Sequence, residues 1–484
     1  MGLIGPWQNA LEGAMAAVCA VAAMVAVAAV ALWLLGASSI GSVWSLTMAV
    51  TAMAVGGSVN SGAETPGGTG GVFGAGGGLG PSVSGAAEAV PLGVTLVGTV
   101  VLWAVFSRRL RVQNQRRFTA GELAVRAASS VSTALFTLVI TAGLAHGTVK
   151  MPASAMKKVG RMGGGQSAGD LGSGSGNGSG NPWGDLFGGG GNGSPLGGGL
   201  LGGGTDSQPS LTYHVSAMAT GFGAALWVGA VLAVGCLISR RVRLPLGGAL
   251  DRLRLTWAPS LSAVVHTILV LAAVPLVALT FVGAVVGGRA GTAAGATLLL
   301  APNAMAVFLS LGVGASWTAA VHPVQSDGSN PLAGLTRSMS GTQGGQQPDR
   351  SVDLGSLAVG GWPLWLAALT VTGIVLLGCA YLAARATNPS QMVPLHPCRG
   401  PLPRHLCMAE RFGLGTAVIL GMVAWLSGLS GNFAISIFGS EMGGMRAELS
   451  DGVLWTAVVG LLVGGLTGFA GSLLSRAYGA WKTT

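Results

Sequence analysis

The chain has 484 residues, of which 50% are hydrophobic and 8% charged, with a mean hydropathy of +0.64. A soluble domain carries about 25% charged residues to present a hydrated surface, so this composition excludes one and defines a polytopic membrane protein. The net charge is +10, but Lys and Arg cluster in short stretches with no interleaved base-stacking aromatics, which excludes a nucleic-acid-binding face and matches orientation signals beside membrane spans.

Each crossing needs roughly 20 apolar residues to pass about 30 Å of hydrocarbon. Such runs occur at 12–36, 89–107, 124–147, 217–238, 258–286, 361–384, 412–430 and 452–475. The first is too long for a signal h-region and has no basic flank, so no removable signal peptide is expected. Two further apolar stretches, 41–57 and 291–320, are less regular. Loop 107–126 holds Arg108, Arg109, Arg111, Arg116, Arg117 and Arg126, and loop 239–254 holds Arg240, Arg241, Arg243, Arg252 and Arg254. Loop 385–411 holds Arg385, Arg399, Arg404 and Arg411, and the tail holds Arg476 and Lys482.

The positive-inside rule sends all four regions to the cytoplasm. One ordinary crossing by 291–320 would put the last two outside. The stretch is therefore expected to dip in and return, or to cross twice as a tight hairpin. Pro302 and Asn303 mark the expected break, because Pro frees backbone groups that Asn can satisfy. Treating 41–57 in the same way makes both termini cytoplasmic. The expected fold is an all-α helix bundle of about eight crossings plus two broken elements.

That bundle divides into membrane halves 1–238 and 239–484, a 5+5 repeat. "AMAV" recurs at Ala52–Val55 and Ala304–Val307, and "LISRR" at 237–241 is echoed by "LLSRA" at 473–477. Repeats of this kind place binding sites at broken helices in transporters. The outer loops 57–88 and 150–212 are Gly-rich, and the second reads as a flexible low-complexity tract with apolar points at Trp183, Leu186, Phe187, Leu200 and Leu201.

Intramembrane polar residues are the natural functional candidates. Asn303 beside Pro302, and His266 within 258–286, are the candidate substrate-binding residues; their alternative roles are helix capping and a bond to a neighbouring helix. Glu12 and His146 fall near span ends. His396, Cys398, His405 and Cys407 form two HxC pairs, a tight fit for one metal where two spaced pairs are usual. That stretch reads as a basic connector, and no metal or cofactor is expected. The five cysteines are scattered, so no disulfide framework is expected. No phosphate-binding loop, HExxH or nucleophile elbow is present, so no enzyme activity is expected. Gly and Ala spaced along 459–472 predict close helix packing.

"TMAVTAMAVGGSV" at 47–59, "EAVPLGVTLVGTVVLWAVFSRRLR" at 88–111, "GELAVRAA" at 121–128 and "LLLAPNAMAVFLSLGVGASW" at 298–317 resemble the streptophobe family. These are hydrophobic multi-pass membrane proteins of actinobacteria with Gly-rich loops and no assigned activity. The resemblance implies fold and plasma-membrane location and carries over no site residues. The functional expectation is a non-enzymatic envelope scaffold or regulator, in contact with the lipid bilayer and envelope proteins. The alternative is a permease for a small or amphipathic solute.

Overall fold

The computed structural model describes residues 6–63, 82–112, 120–150, 210–238, 288–324, 350–359, 362–386, 401–437 and 440–481, with scattered helical positions from 257 to 285. The helices are α1 (Pro6–Leu34), α2 (Val43–Met53), α3 (Leu92–Val112), α4 (Ala120–Leu144), α5 (Ala217–Ile238), α6 (Gly288–Gly312), α7 (Leu364–Ala386), α8 (Pro401–Ser427) and α9 (Val453–Trp481). The strands are β1 (Val59–Ala63), β2 (Ser82–Ala89), β3 (His146–Lys150), β4 (Ser210–Val215), β5 (Thr318–Val324), β6 (Arg350–Asp353), β7 (Ala358–Val359), β8 (Trp362–Pro363), β9 (Leu429–Ile437) and β10 (Ser440–Ser450).

The helical bundle is as expected, and its outer connections hold a feature the sequence did not announce. Eight strands, flanking the helices, join into one antiparallel sheet in the order β3-β4-β1-β2-β9-β10-β5-β6. Gly, Ser and Ala dominate these strands, so they carry little hydrophobic alternation. Their backbones still need partners at the edge of the hydrocarbon, and cross-strand pairing supplies them. Loop 150–212 enters the sheet through Ser210–Val215; its five apolar points lie outside the described residues.

The sheet fixes the direction of every helix. α1 leads toward it, because Gly41 bridges Val149 of β3. α3, α5, α7 and α9 follow β2, β4, β8 and β10 and run away from it, whereas α4 and α8 return to β3 and β9. α5 thus ends on the side opposite the sheet and α6 packs on the sheet side, and the scattered described positions between 257 and 285 are helical. Both termini lie at the end opposite the sheet.

Neither of the two irregular stretches crosses. α2 has 11 residues, about 16 Å at 1.5 Å per residue, and both its ends connect to the sheet side. α6 has 25 residues, and its apolar part is long enough to span. Its neighbours show that it lies across the bundle beneath the sheet instead. Gly295 packs on Ala31 and Leu35, at the sheet end of α1, and Gly312 on Ala368 and Thr372, in the first turns of α7. The expected break at Pro302 and Asn303 is absent: the helix runs through Pro302. No break is needed, because a helix lying at one depth returns to its own side without reversing.

The order of the described elements is similar in the two halves: a non-crossing helix, strands, two crossings, two strands and a crossing, with β7 and β8 added in the second. The strand order recurs too, since β3-β4-β1-β2 matches β9-β10-β5-β6, and β2 pairs with β9 over the full length of β2 to join the halves. α2 and α6 end in the same backbone motif. Gly57 N–H donates to Ala52 and Gly56 N–H to Met53, as Ala315 donates to Ser310 and Gly314 to Leu311. Gly56 and Gly314 both take the left-handed conformation, φ 96° and 98°.

This correspondence sorts the sequence echoes. Thr220 N–H bonds Ser216 as Thr456 N–H bonds Gly452, which aligns 237–238 of α5 with 473–474 of α9, so the first residues of "LISRR" and "LLSRA" are structural counterparts. "AMAV" is not, because Ala52 corresponds to Ser310 rather than Ala304. The buried faces of α4 and α8 also coincide: Leu123, Arg126, Ser130, Ala134 and Leu138 correspond to His405, Met408, Phe412, Thr416 and Leu420.

The small-residue stripe of α9 packs as expected. Gly464 meets Thr416, and Gly468 meets Phe412 and the carbonyl of Met408, which lets α8 and α9 approach closely. A Cβ on Gly468 would lie 2.8 Å from the Cβ of Phe412. Gly468→Leu is therefore expected to cost about 1–3 kcal/mol by overpacking, read as a lowered melting temperature in detergent. Gly415→Leu, whose Cβ meets nothing within 4 Å, is the control and should melt with the wild type.

Candidate functional site

Two of the residues singled out in the sequence, Pro302 and Asn303, lie at the junction between the halves. Asn303 is 5% exposed. Its Nδ2 donates to the carbonyl of Val90 at 2.7 Å, and its Oδ1 accepts from Leu92 N–H at 2.9 Å. The amide thus straddles Pro91 and caps the first turn of α3, which has no intrahelical partner of its own. Pro302 removes the donor that would bond the Leu298 carbonyl, and Gly93 packs directly on that freed oxygen. Both residues serve as a clamp between α6 and α3. Both groups of the Asn303 amide are engaged with backbone, which is the helix-capping role that stood beside substrate binding in the sequence. Asn303→Leu would leave Leu92 N–H and Val90 O buried without this partner, a loss of about 1–3 kcal/mol. A thermal melt of the purified variant checks this, and an unchanged midpoint would refute the clamp. His266 lies outside the described residues.

The turn after α2 and the middle of α6 join one apolar cluster. Ala54 and Val55 after α2, Val94 of α3 and Leu299 of α6 share one cluster with Met24, Leu138 and Ala224. Beside the turn after α6 lies a cavity of about 650 Å³, walled by Gly312–Ser316, Trp365, Leu369 and Val463, with Asp353, Ser356 and Thr372 among its polar lining residues.

Two polar constellations at the opposite end escaped the sequence reading. Arg126 is 1% exposed inside α4, not a loop charge as its neighbours suggested. Its Nη1 lies 3.3 Å from Glu12 Oε2, its Nη2 donates to the Phe106 carbonyl at 3.3 Å, and its guanidinium sits 4.8 Å from the Phe106 ring centroid. Gly13 creates the meeting point, since it brings α1 onto Ser129 and the Arg126 carbonyl, and Ser130 Oγ donates to the Gly13 carbonyl. A lone Arg flanked by other arginines carries no sign of burial in sequence. The adjacent Glu12 and Gly13 were the only available signal.

The second constellation involves His405, which lies in α8 rather than in a connector. Its Nε2 lies 3.2 Å from Arg476 Nη1, and its Nδ1 lies 2.6 Å from Ser472 Oγ. Arg can only donate, so Nε2 accepts and Nδ1–H donates to Ser472. Both ring nitrogens are thereby engaged with protein groups. His396 and Cys398 lie outside the described residues. Among the described residues, no group of His, Cys, Asp and Glu is placed to hold a metal.

These features define a class: an all-α, multi-pass membrane bundle whose outer connections fuse into one sheet over one end. No family model matches the chain, and neither a curated protein nor a solved structure matches it.

Proposed function

We propose that the protein is a non-enzymatic scaffold or regulator of the cell envelope, seated in the plasma membrane with both termini in the cytoplasm. The observation that carries this reading is the eight-stranded sheet, which joins described connections of both halves into one surface beside the helices. Its terminal strand β6 presents an edge with which a partner strand could pair. The orientation follows from Arg108, Arg385 and Arg476, which end α3, α7 and α9 away from the sheet. The resemblance to streptophobes agrees with this location, and the repeated element order supports an internal duplication.

The test is photo-crosslinking in living cells from a benzoylphenylalanine placed at Val352, which is exposed on β6. The expected result is a defined adduct with one envelope protein, absent when that partner is deleted. Adducts with lipid alone, together with a solute that accumulates or disappears in deletion cells, would favour the permease instead. Single engineered cysteines at 385–411 should react only with membrane-permeant reagents and those at 321–360 with impermeant ones; the reverse would overturn the orientation.

A further inference from the structure

The cavity beside α6 has a counterpart in the first half, and there it is filled by the chain itself. The turn Ala54–Ser58, the first turns of α3 and Trp227 of α5 form the frame; Leu299 of α6 packs into it and Leu298 beside it against Val97. In the second half, the turn Gly312–Ser316, the first turns of α7 and Val463 of α9 form the same frame around the cavity. Pro91 and Leu92 correspond to Pro363 and Leu364. Where Leu92 N–H takes Oδ1 of Asn303, Leu364 N–H donates to Leu357 O at 2.8 Å. The polar clamp is thus satisfied locally in the second half, while the apolar seat has no counterpart of Leu298 and Leu299 among the described residues. The reason is length, since α2 lacks the N-terminal extension that carries α6 across its neighbour.

We propose that this cavity is the seat of an acyl chain of a membrane lipid whose head group carries an ammonium. Its volume lies in the range of small-molecule sites, and Trp365 and Leu369 are 46% and 50% exposed along it. It lies against α7 and α9 in the turns nearest the sheet, the depth at which a lipid chain joins its head group. At the sheet end the lining includes Asp353 and Ser356. Asp353 is the charged residue of that lining, and the carbonyl end of α6 adds a partial negative charge beside it. A cationic head group complements both, while an anionic one is repelled.

The experiment uses the full chain in nanodiscs containing phosphatidylethanolamine or phosphatidylglycerol with the same diazirine-bearing acyl chain, followed by peptide mapping after irradiation. Adducts on 365–373 should be about two- to fivefold more abundant from phosphatidylethanolamine, the worth of one semi-exposed ion pair, and Asp353→Asn should equalise the two lipids. Gly373 lines the cavity, and its Cβ would meet nothing within 4 Å. Gly373→Leu should therefore fold and fill the seat, lowering these adducts about tenfold, with labelling near lipid-facing Leu462 unchanged. Adducts on 365–373 no stronger than those near Leu462, or unaffected by Gly373→Leu, would overturn the proposal. Equal labelling by the two lipids in the wild type would overturn the ammonium assignment.

Discussion

Arg126→Ala should cost about 3–5 kcal/mol of stability, the usual loss when one partner of a buried ion pair is removed. The guanidinium joins three helices: it faces Glu12 of α1, donates to the carbonyl of Phe106 in α3, and covers the ring of Phe106. Truncation removes the buried cation beside the Glu12 carboxylate, which is 17% exposed, and leaves a cavity. The second half shows what an uncharged solution looks like, because the counterpart of Arg126 is Met408, also buried, in α8. The double variant Glu12→Ala, Arg126→Met should accordingly recover most of the loss, since an apolar pair of similar volume removes two desolvation penalties together. The measurement is the melting temperature and monodisperse yield in detergent for the two single variants and the double. If Arg126→Met alone is as stable as the wild type, the pair contributes nothing and the account of this end of the bundle fails.

A second large effect is expected at Trp317, the residue that ties β5 to α6. It is fully buried and packs with Ala315, Ala424, Val307 and Leu449. Its indole N–H donates to Ser310 Oγ at 2.7 Å, and its carbonyl accepts from Leu354 N–H. Trp317→Ala would open a cavity where α6, α8 and the sheet meet and remove the donor to Ser310, at about 3–5 kcal/mol. Trp317→Phe retains most of the packing and loses the hydrogen bond, so it should cost about 1 kcal/mol. A midpoint for Trp317→Phe as low as that for Trp317→Ala would show that the bond, rather than the volume, carries this corner.

Much of the membrane architecture was legible because its signals are local and strong. Runs of apolar residues mark the crossings, and arginines at their ends mark the side on which each loop lies. Those charges set 291–320 apart as a stretch that dips in and returns or crosses twice, and 41–57 was treated in parallel. The reason assigned to 291–320 was mistaken: Pro302 does not break the helix. A proline costs one hydrogen bond, and Gly93 occupies the carbonyl it releases. The short echoes carried mixed information, since "LISRR" reflects a structural counterpart and "AMAV" does not.

By itself, then, the sequence determined the all-α membrane bundle and the close packing of α9, since each follows from hydrophobicity or residue size along one segment. Only the tertiary structure decided the rest. The sheet depends on pairing strands as distant as β2 and β9, whose small residues announce no strand period. The burial of Arg126 depends on Glu12 and Phe106 arriving from two other helices, and the commitment of Asn303 on a turn more than two hundred residues earlier in the chain. The cavity is walled by the turn after α6 together with α7 and α9, segments that meet through space rather than along the chain.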